Sequence, residues 1–325
     1  MNVMSDIKVI GIDPAPFKKS TVFDGDKVLS ELLNKKFKSN NGFYEFKPHE
    51  LVCVIKKIKE NNKENNNNIL ICWDAPLTGP DFNNIEECKN NKVKFYEGNF
   101  SDRKIEKWLR LKVKPKEKKD PPLKTVTVRY YSGLVHWTIT KYIFGLPEMG
   151  GADSCDNLPF QLLTDDKMKD LDQWNKSKNS IVEVHPAVAI YIIYEEAKRN
   201  CKKAFPDYKN NKEDLECLWG SIKCHPFFNE VRVCKNEVSK DKCEENCKME
   251  ININTHDELD ALVAYTLGKN WVKDNGVKLI GDKNTGAMLL PDSIKCDKED
   301  CKRDFETFLS NFKYPPTTHS DVLPL

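Results

Sequence analysis

The stretch IKVIGIDPA, residues 7–15, decides how this chain begins to fold. Isoleucine and valine dominate its first six positions, which is typical of a buried β-strand. Asp13 follows, and Pro14 stops further strand pairing because proline has no backbone N–H to donate. The stretch therefore predicts a buried strand that carries a carboxylate at its carboxyl end.

A second stretch, ILICWDAP at residues 69–76, repeats this pattern with Asp74. Between the two stretches the sequence predicts strands at 20–25 and 27–33, joined by an Asp-Gly-Asp turn, and a helix at 48–60. A right-handed crossover through that helix places the later strand beside the first. We therefore expect Asp13 and Asp74 to lie at neighbouring strand ends.

The rest of the chain contains fewer regular patterns. Periodicity and end signals predict helices at 101–110, 187–199 and 256–271, and strands at 180–186, 277–282 and 286–290. Thr255 and Glu258 form a capping-box pattern at the start of the last of these helices. The polar segments at about 79–180 and 201–254 are interpreted as insertions into a single domain that spans residues 1–325.

The predicted helix at 256–271 carries two acids on one face. Asp257 and Asp260 are three positions apart and share that face. Small residues continue the same face: Ala261, Ala264 and Gly268. A face without large side chains lets the helix backbone approach a sheet closely, so that a short aspartate reaches the strand ends.

Carboxylates that converge in this way repel each other, and a divalent cation relieves the repulsion. Hard oxygen donors favour Mg²⁺ or Mn²⁺ over zinc, and two such ions about 4 Å apart are suited to phosphodiester hydrolysis. A purely structural interpretation of these aspartates is left open by the sequence. Acids are common in the first turn of a helix, where the helix dipole favours them, and a strand-end aspartate is often only a turn residue.

Five motifs give the chain a family resemblance, and they occur in the order IDPA, WDAPL, VEVHPAVA, HDELDALVAY and GAMLLP. Together they resemble predicted ribonuclease-H-like nucleases of a domain-of-unknown-function family; GIDP and HDELDAL are also similar to Holliday-junction resolvases. The resemblance implies an α/β fold, with a ribonuclease-H-like mixed sheet, flanking helices and insertions. It also implies catalytic acids on the first strand, on the fourth strand and on a late helix.

Residue by residue, the resemblance implies Asp13, Asp74 and Asp257 as ligands of Mg²⁺ or Mn²⁺, with Asp260 as a further acid. It adds Glu183, from VEVHP, to the catalytic set. From the residues alone, Glu183 would be interpreted as a strand residue that faces outward.

A basic stretch is the candidate nucleic-acid interface. Ten Lys or Arg and only three acids lie between residues 103 and 124. Four of these basic residues fall on the predicted helix there: Arg103, Lys104, Lys107 and Arg110. They suit contacts to a phosphate backbone, and the alternative is a solvated lysine-rich face.

Bulk composition narrows the class of protein. The net charge of +2 neither demands nor excludes nucleic acid, and no apolar run is long enough to span a membrane. Twelve cysteines in 325 residues are too few for a disulfide scaffold, and no signal peptide is visible, so we expect a cytoplasmic protein. Zinc binding between Cys217 and Cys247 stays open, because their spacing gives no clean pair of ligand motifs.

The sequence therefore predicts a metal-dependent nuclease that acts on DNA or RNA. One alternative is a binding module that kept the fold and lost the chemistry. Another is a phosphotransferase or nucleotide hydrolase of the actin-like group, although GIDPAPFKKS lacks the glycine pair of a phosphate loop. The oligomeric state is left undetermined.

Overall fold

The computed structural model describes residues 7–15, 18–33, 40–65, 68–75, 77, 104–112, 160–163, 179–197, 205–231, 251–282, 286–293 and 301–311. Within these residues the protein is a mixed α/β fold, built around a mixed sheet with helices on its faces. None of the described helices is both long enough and apolar enough to cross a membrane.

The main sheet of the described residues has six strands in the order β3-β2-β1-β4-β6-β5. They are β1 Lys8–Asp13, β2 Ser20–Phe23, β3 Phe43–Phe46, β4 Ile69–Trp73, β5 Gln161–Leu162 and β6 Ser180–Glu183. β2 is antiparallel to β1 and β3, whereas β1, β4, β6 and β5 run parallel. The carboxyl ends of β1, β4 and β6 therefore lie at one edge of the sheet.

The helices and a separate antiparallel hairpin complete the described fold. The helices are α1 Val28–Leu32, α2 Pro48–Asn65, α3 Lys104–Lys112, α4 Pro186–Ala197, α5 Lys212–Ile222, a 3₁₀ helix at Pro226–Val231, α6 His256–Val272 and α7 Cys301–Asn311. The hairpin pairs β7 Val277–Asp282 with β8 Gly286–Pro291. Both segments predicted as insertions contribute elements to this fold. The segment at about 79–180 contains α3 and β5, and β5 extends the sheet beside β6. The segment at 201–254 contains α5.

Alternation along β1 divides the core into two layers. Ile10 and Ile12 belong to the layer that α2 covers, while Val9 belongs to the layer that contains α6. Neighbouring β4 alternates in the same way. The strand faces therefore bury apolar side chains on both sides, as expected for a central parallel strand.

Helix α6 lies unusually close to the sheet. A Cβ atom on Gly11 of β1 would collide with the carbonyl oxygen of Ala261 and the backbone nitrogen of Tyr265. A Cβ on Gly268 would collide with the Cys72 sulfur in β4. The close approach predicted from the small residues of this helix is confirmed, and it brings the first turn of α6 to the sheet edge.

The prediction of a strand at 27–33 is wrong, because α1 lies there and the third strand along the chain is β3 at Phe43–Phe46. The Asp24 carboxylate accepts the backbone N–H groups of Val28 at 3.0 Å and of Leu29 at 2.6 Å. Capping of this kind satisfies N–H groups that would otherwise lack partners and favours a helix start. The helix predicted at 48–60 is confirmed, and it continues to Asn65.

Candidate functional site

Two of the predicted acids lie at neighbouring strand ends. Asp13 is the last residue of β1, and Asp74 directly follows β4. The Asp74 N–H donates to the Ile12 carbonyl at 3.0 Å, which continues the β1–β4 pairing by one position. Both aspartates are half-buried at the sheet edge. The predicted adjacency of Asp13 and Asp74 is confirmed.

The first turn of α6 brings the other two aspartates to the same edge. Thr255 is the N-cap; its hydroxyl accepts the Glu258 N–H at 3.1 Å, and the Glu258 carboxylate accepts the Thr255 N–H at 3.3 Å. This capping box is the one that the sequence predicts. It fixes where the helix begins and thereby where Asp257 and Asp260 lie. Asp260 is only 1% exposed.

The other three aspartates all act electrostatically on Asp13. Burial raises the pKa of Asp13 well above its usual range, and the carboxylates of Asp260, Asp74 and Asp257 raise that pKa further. We call Asp13, Asp74, Asp257 and Asp260 the acid cluster. Its members come from β1, from the residue after β4 and from α6.

Glu183 lies next to the acid cluster and acts electrostatically on Asp74. It is the last residue of β6, and its side chain is buried. Burial raises the pKa of Asp74, and the charges of Asp260 and Glu183 raise it too. One Glu183 carboxylate oxygen accepts the Leu77 N–H at 3.0 Å, so this side chain also holds the segment that follows β4.

Two residues that sequence reasoning missed complete the site. The Lys209 ammonium lies 2.9 Å from one carboxylate oxygen of Asp260, and the Tyr208 hydroxyl donates to the other at 3.1 Å. Burial and the charge of Asp260 raise the pKa of Tyr208, so its hydroxyl keeps its proton. Burial alone would lower the pKa of Lys209, but Asp260 outweighs it, so the lysine stays charged.

Asp257 has a different set of partners. The Lys18 ammonium lies 2.6 Å from one of its oxygens, and His256 Nε2 lies 3.0 Å from the other. Burial would raise the pKa of Asp257, but the hydrogen bonds from His256 and Lys18 outweigh it and hold that pKa below its usual range. Asp257 is therefore ionised over the whole neutral range.

The predicted nucleic-acid helix is anchored more tightly than expected. In α3, Ile105, Trp108 and Leu109 are buried, and the Trp108 indole N–H donates to Asp304 of α7 at 3.0 Å. Two lysine side chains of α3 are described. The Lys107 ammonium is buried, and Lys112 pairs with Asp304 at 2.7 Å.

Neither of these two lysines presents an open ammonium to a phosphate, which corrects the expectation for Lys107. Arg103 lies outside the described residues, and so do the side chains of Lys104 and Arg110, although both belong to α3. The prediction for these three residues stays a prediction.

Metal binding within the described ranges requires ligand side chains that converge on one point. No group of three His, Cys, Asp or Glu side chains there converges closely enough to hold a metal ion. Partners within the chain engage three of the acids: Lys209 engages Asp260, Lys18 engages Asp257, and the Leu77 N–H engages Glu183. The donor chemistry of the acid cluster consists entirely of hard carboxylate oxygens, which suits Mg²⁺ or Mn²⁺.

The cysteine segment gives no zinc site within the described residues. Cys217 and Cys224 are free and exposed there. Cys234, Cys243 and Cys247 lie outside the described residues.

The comparisons with protein-family models, with curated proteins and with solved structures found no match for this chain.

Proposed function

We propose that this protein is a metal-dependent nuclease of the ribonuclease-H-like type, which hydrolyses phosphodiester bonds at the acid cluster. One observation carries the proposal. Asp13 ends β1, Asp74 directly follows β4, and Asp257 and Asp260 lie in the first turn of α6, so acids from three parts of the chain lie at one sheet edge, where the charges of the other three raise the pKa of Asp13. Converging carboxylates repel each other, and a divalent cation bound between them would relieve that repulsion.

The residues of the cluster fit a hard divalent cation by their donor chemistry. Asp13 and Asp74 would be ligands because they stand on rigid strand ends, and Asp257 would join them from α6. When bound, Mg²⁺ or Mn²⁺ supplies Lewis-acid activation of a water and stabilises the leaving oxygen. Glu183 keeps the segment after β4 in position through the Leu77 N–H, which holds Asp74 at the edge.

Two lysines give the site a preference for an anionic substrate. The Lys18 side chain is 57% exposed and that of Lys209 is 46% exposed, although each ammonium contacts a cluster aspartate. Cations at the rim of an acidic site attract a phosphate backbone and offset the repulsion between that backbone and the carboxylates. We therefore expect the substrate to be a nucleic acid strand that passes over the rim near these two lysines.

Cleavage of labelled nucleic acid tests this proposal. Single-stranded, duplex and junction forms of DNA and RNA are incubated with the protein in Mn²⁺, Mg²⁺ or EDTA. We expect cutting that EDTA abolishes and that Asp13→Asn abolishes. Asp274→Asn is the matched control, because Asp274 lies in the last turn after α6 with a positive φ of 53° that asparagine tolerates. Cutting by Asp13→Asn, or none with any substrate, would contradict the proposal.

The lysine ion pairs favour one second candidate, a nucleic-acid-binding module without turnover. Lys209 and Lys18 already neutralise Asp260 and Asp257 by contacts within the chain. A site balanced in this way holds its fold without a metal ion. Tight binding of a nucleic acid by the wild type, together with no cutting under any metal condition, would favour this candidate over the nuclease.

A further inference from the structure

A single carboxylate, that of Asp26, ties the amino end of β1 to the second half of α6. One Asp26 oxygen accepts the Val9 N–H at 2.7 Å. The other accepts the Tyr265 hydroxyl at 3.0 Å and lies 3.1 Å from the Lys269 ammonium. The side chains of Asp26 and Lys269 are only 20% and 14% exposed. Hydrogen bonds of this kind, shielded from water and made to a charged group, are among the stronger ones in a protein.

The turn that carries Asp26 is fitted closely to α6. A Cβ on Gly25, the residue before Asp26, would collide with the Tyr265 hydroxyl. The Tyr265 ring also packs edge-on against Phe23 of β2, with ring centroids 5.0 Å apart. The turn therefore packs against the same α6 side chain that the Asp26 carboxylate binds, which leaves this part of α6 little freedom to move.

The acids lie at the opposite ends of these two elements. Gly268, late in α6, packs against Val9 at the start of β1, whereas Ala261, early in α6, packs against Gly11. The helix therefore runs antiparallel to β1, and its amino end, with two aspartates of the acid cluster, lies toward Asp13. Asp13 is four strand positions beyond Val9, which is roughly 13 Å.

We propose that Asp26 is a positioning residue, which fixes how far α6 extends along β1 and thereby where the aspartates of α6 stand relative to Asp13. The inference rests on the proposed function, because that function assigns the chemistry to these aspartates. Close-packed elements transmit a shift along their length, and a displacement of about 1 Å at a reacting centre can lower turnover about 100-fold. Asp26 therefore acts on turnover from the far ends of both elements.

Asp26→Asn alters this contact in a defined way. A carboxylate offers two acceptor oxygens and an amide only one, so either the Val9 N–H or the α6 donors lose their acceptor. Asp304→Asn is the matched control. Asp304 accepts the Trp108 indole N–H at 3.0 Å and pairs with Lys112 at 2.7 Å, but it connects α3 with α7 rather than α6 with β1.

Two measurements on the full chain test the inference. The nuclear Overhauser effect between a Gly11 Hα and the Tyr265 N–H reports the position of α6 on β1, because these backbones are in close contact. Cleavage kinetics of labelled nucleic acid in Mn²⁺ report turnover. For Asp26→Asn we expect a weaker Overhauser effect and a kcat lowered about 10–100-fold, with KM unchanged. For Asp304→Asn we expect both measurements to match the wild type, although the protein is less stable.

The outcomes separate this inference from the proposed function. An Overhauser effect in Asp26→Asn equal to that of the wild type would overturn the inference, and so would a weaker effect with an unchanged kcat. A wild type that cuts no nucleic acid would contradict the proposed function, while the Overhauser effect still decides whether Asp26 sets the position of α6. Circular dichroism checks folding. Tyr265→Phe, which removes one hydrogen bond to Asp26, is the second variant and should change both readouts less, in the same direction.

Discussion

At the scale of single residues, the contact between Gly11 and α6 decides whether the acid cluster can form. We expect Gly11→Ala to destabilise the protein by about 3 kcal/mol, because a new Cβ would overlap backbone atoms that have no room to move. Those atoms are the Ala261 carbonyl oxygen and the Tyr265 nitrogen. Urea unfolding followed by circular dichroism measures the change.

Gly220 provides the matched control for Gly11. It lies within α5, and a Cβ there would meet nothing within 4 Å. Gly220→Ala should therefore stabilise the protein by about 0.5–1 kcal/mol, since alanine is the better helix former. Equal effects of the two substitutions would contradict the close approach of α6 to β1.

Asp24 provides a pH prediction at the same scale. Burial raises the pKa of Asp24 to about 6, although its hydrogen bonds from the Leu29 and Val28 N–H groups oppose that rise. The folded protein therefore takes up a proton near pH 6, whereas the unfolded chain does so only near about 3.9. The contribution of Asp24 to the free energy of unfolding therefore increases as the pH falls through 6.

Asp24→Asn isolates this contribution, because the variant has no proton to take up at this position. Between pH 7 and pH 5 we expect the wild type to gain about 1 kcal/mol of unfolding free energy relative to Asp24→Asn. Denaturant unfolding of both proteins at the two pH values gives the difference. A difference that does not change with pH would show that Asp24 titrates at its ordinary value.

At the scale of elements, the capping box of α6 links helix stability to the site. Thr255→Ala removes the hydroxyl that accepts the Glu258 N–H, and we expect it to cost about 1 kcal/mol of stability. Thr255→Ser keeps the acceptor and should restore most of that loss. Thermal unfolding of the three proteins is the measurement, and equal losses for both variants would rule out a role for the cap.

Elements also show where local sequence patterns are sufficient and where they fail. The capping box and the small residues of α6 were predictable because helix starts and helix faces are local properties. The identity of α1 was not predictable from its apolar residues alone. Those apolar residues were interpreted as a strand, but the hydrogen bonds that Asp24 accepts from the Val28 and Leu29 N–H groups, together with the burial of these two residues, favour a helix.

At the scale of the whole molecule, the site depends on contacts between distant parts of the chain. Asp13 and Asp74 could be predicted as neighbours because a strand pairing rule connects them. Tyr208 and Lys209 could not, since no local pattern marks them and the packing of Phe205 against α4 sets their position. Their contact with Asp260 spans about fifty residues of sequence, which only the tertiary fold determines.

The cluster also predicts opposite effects of two similar substitutions on stability. Burial and neighbouring carboxylates raise the pKa of Asp13, so its ionised form destabilises the fold at neutral pH. We expect Asp13→Asn to raise the free energy of unfolding in EDTA by about 0.5–2 kcal/mol, an amount typical of stabilising substitutions. Asp260→Asn should lower it, because it breaks the ion pair with Lys209.

The pH dependence distinguishes charge repulsion at Asp13 from a simple packing effect. A carboxyl whose pKa is raised on folding costs stability as the pH rises above its unfolded pKa, and the cost disappears once the group is protonated in both states. The advantage of Asp13→Asn should therefore be largest near pH 8 and fade toward pH 4. Thermal melts of the wild type, Asp13→Asn and the Asp274→Asn control across this range measure it. An advantage that is equal at every pH would mean that the repulsion in the acid cluster does not limit the stability of this fold.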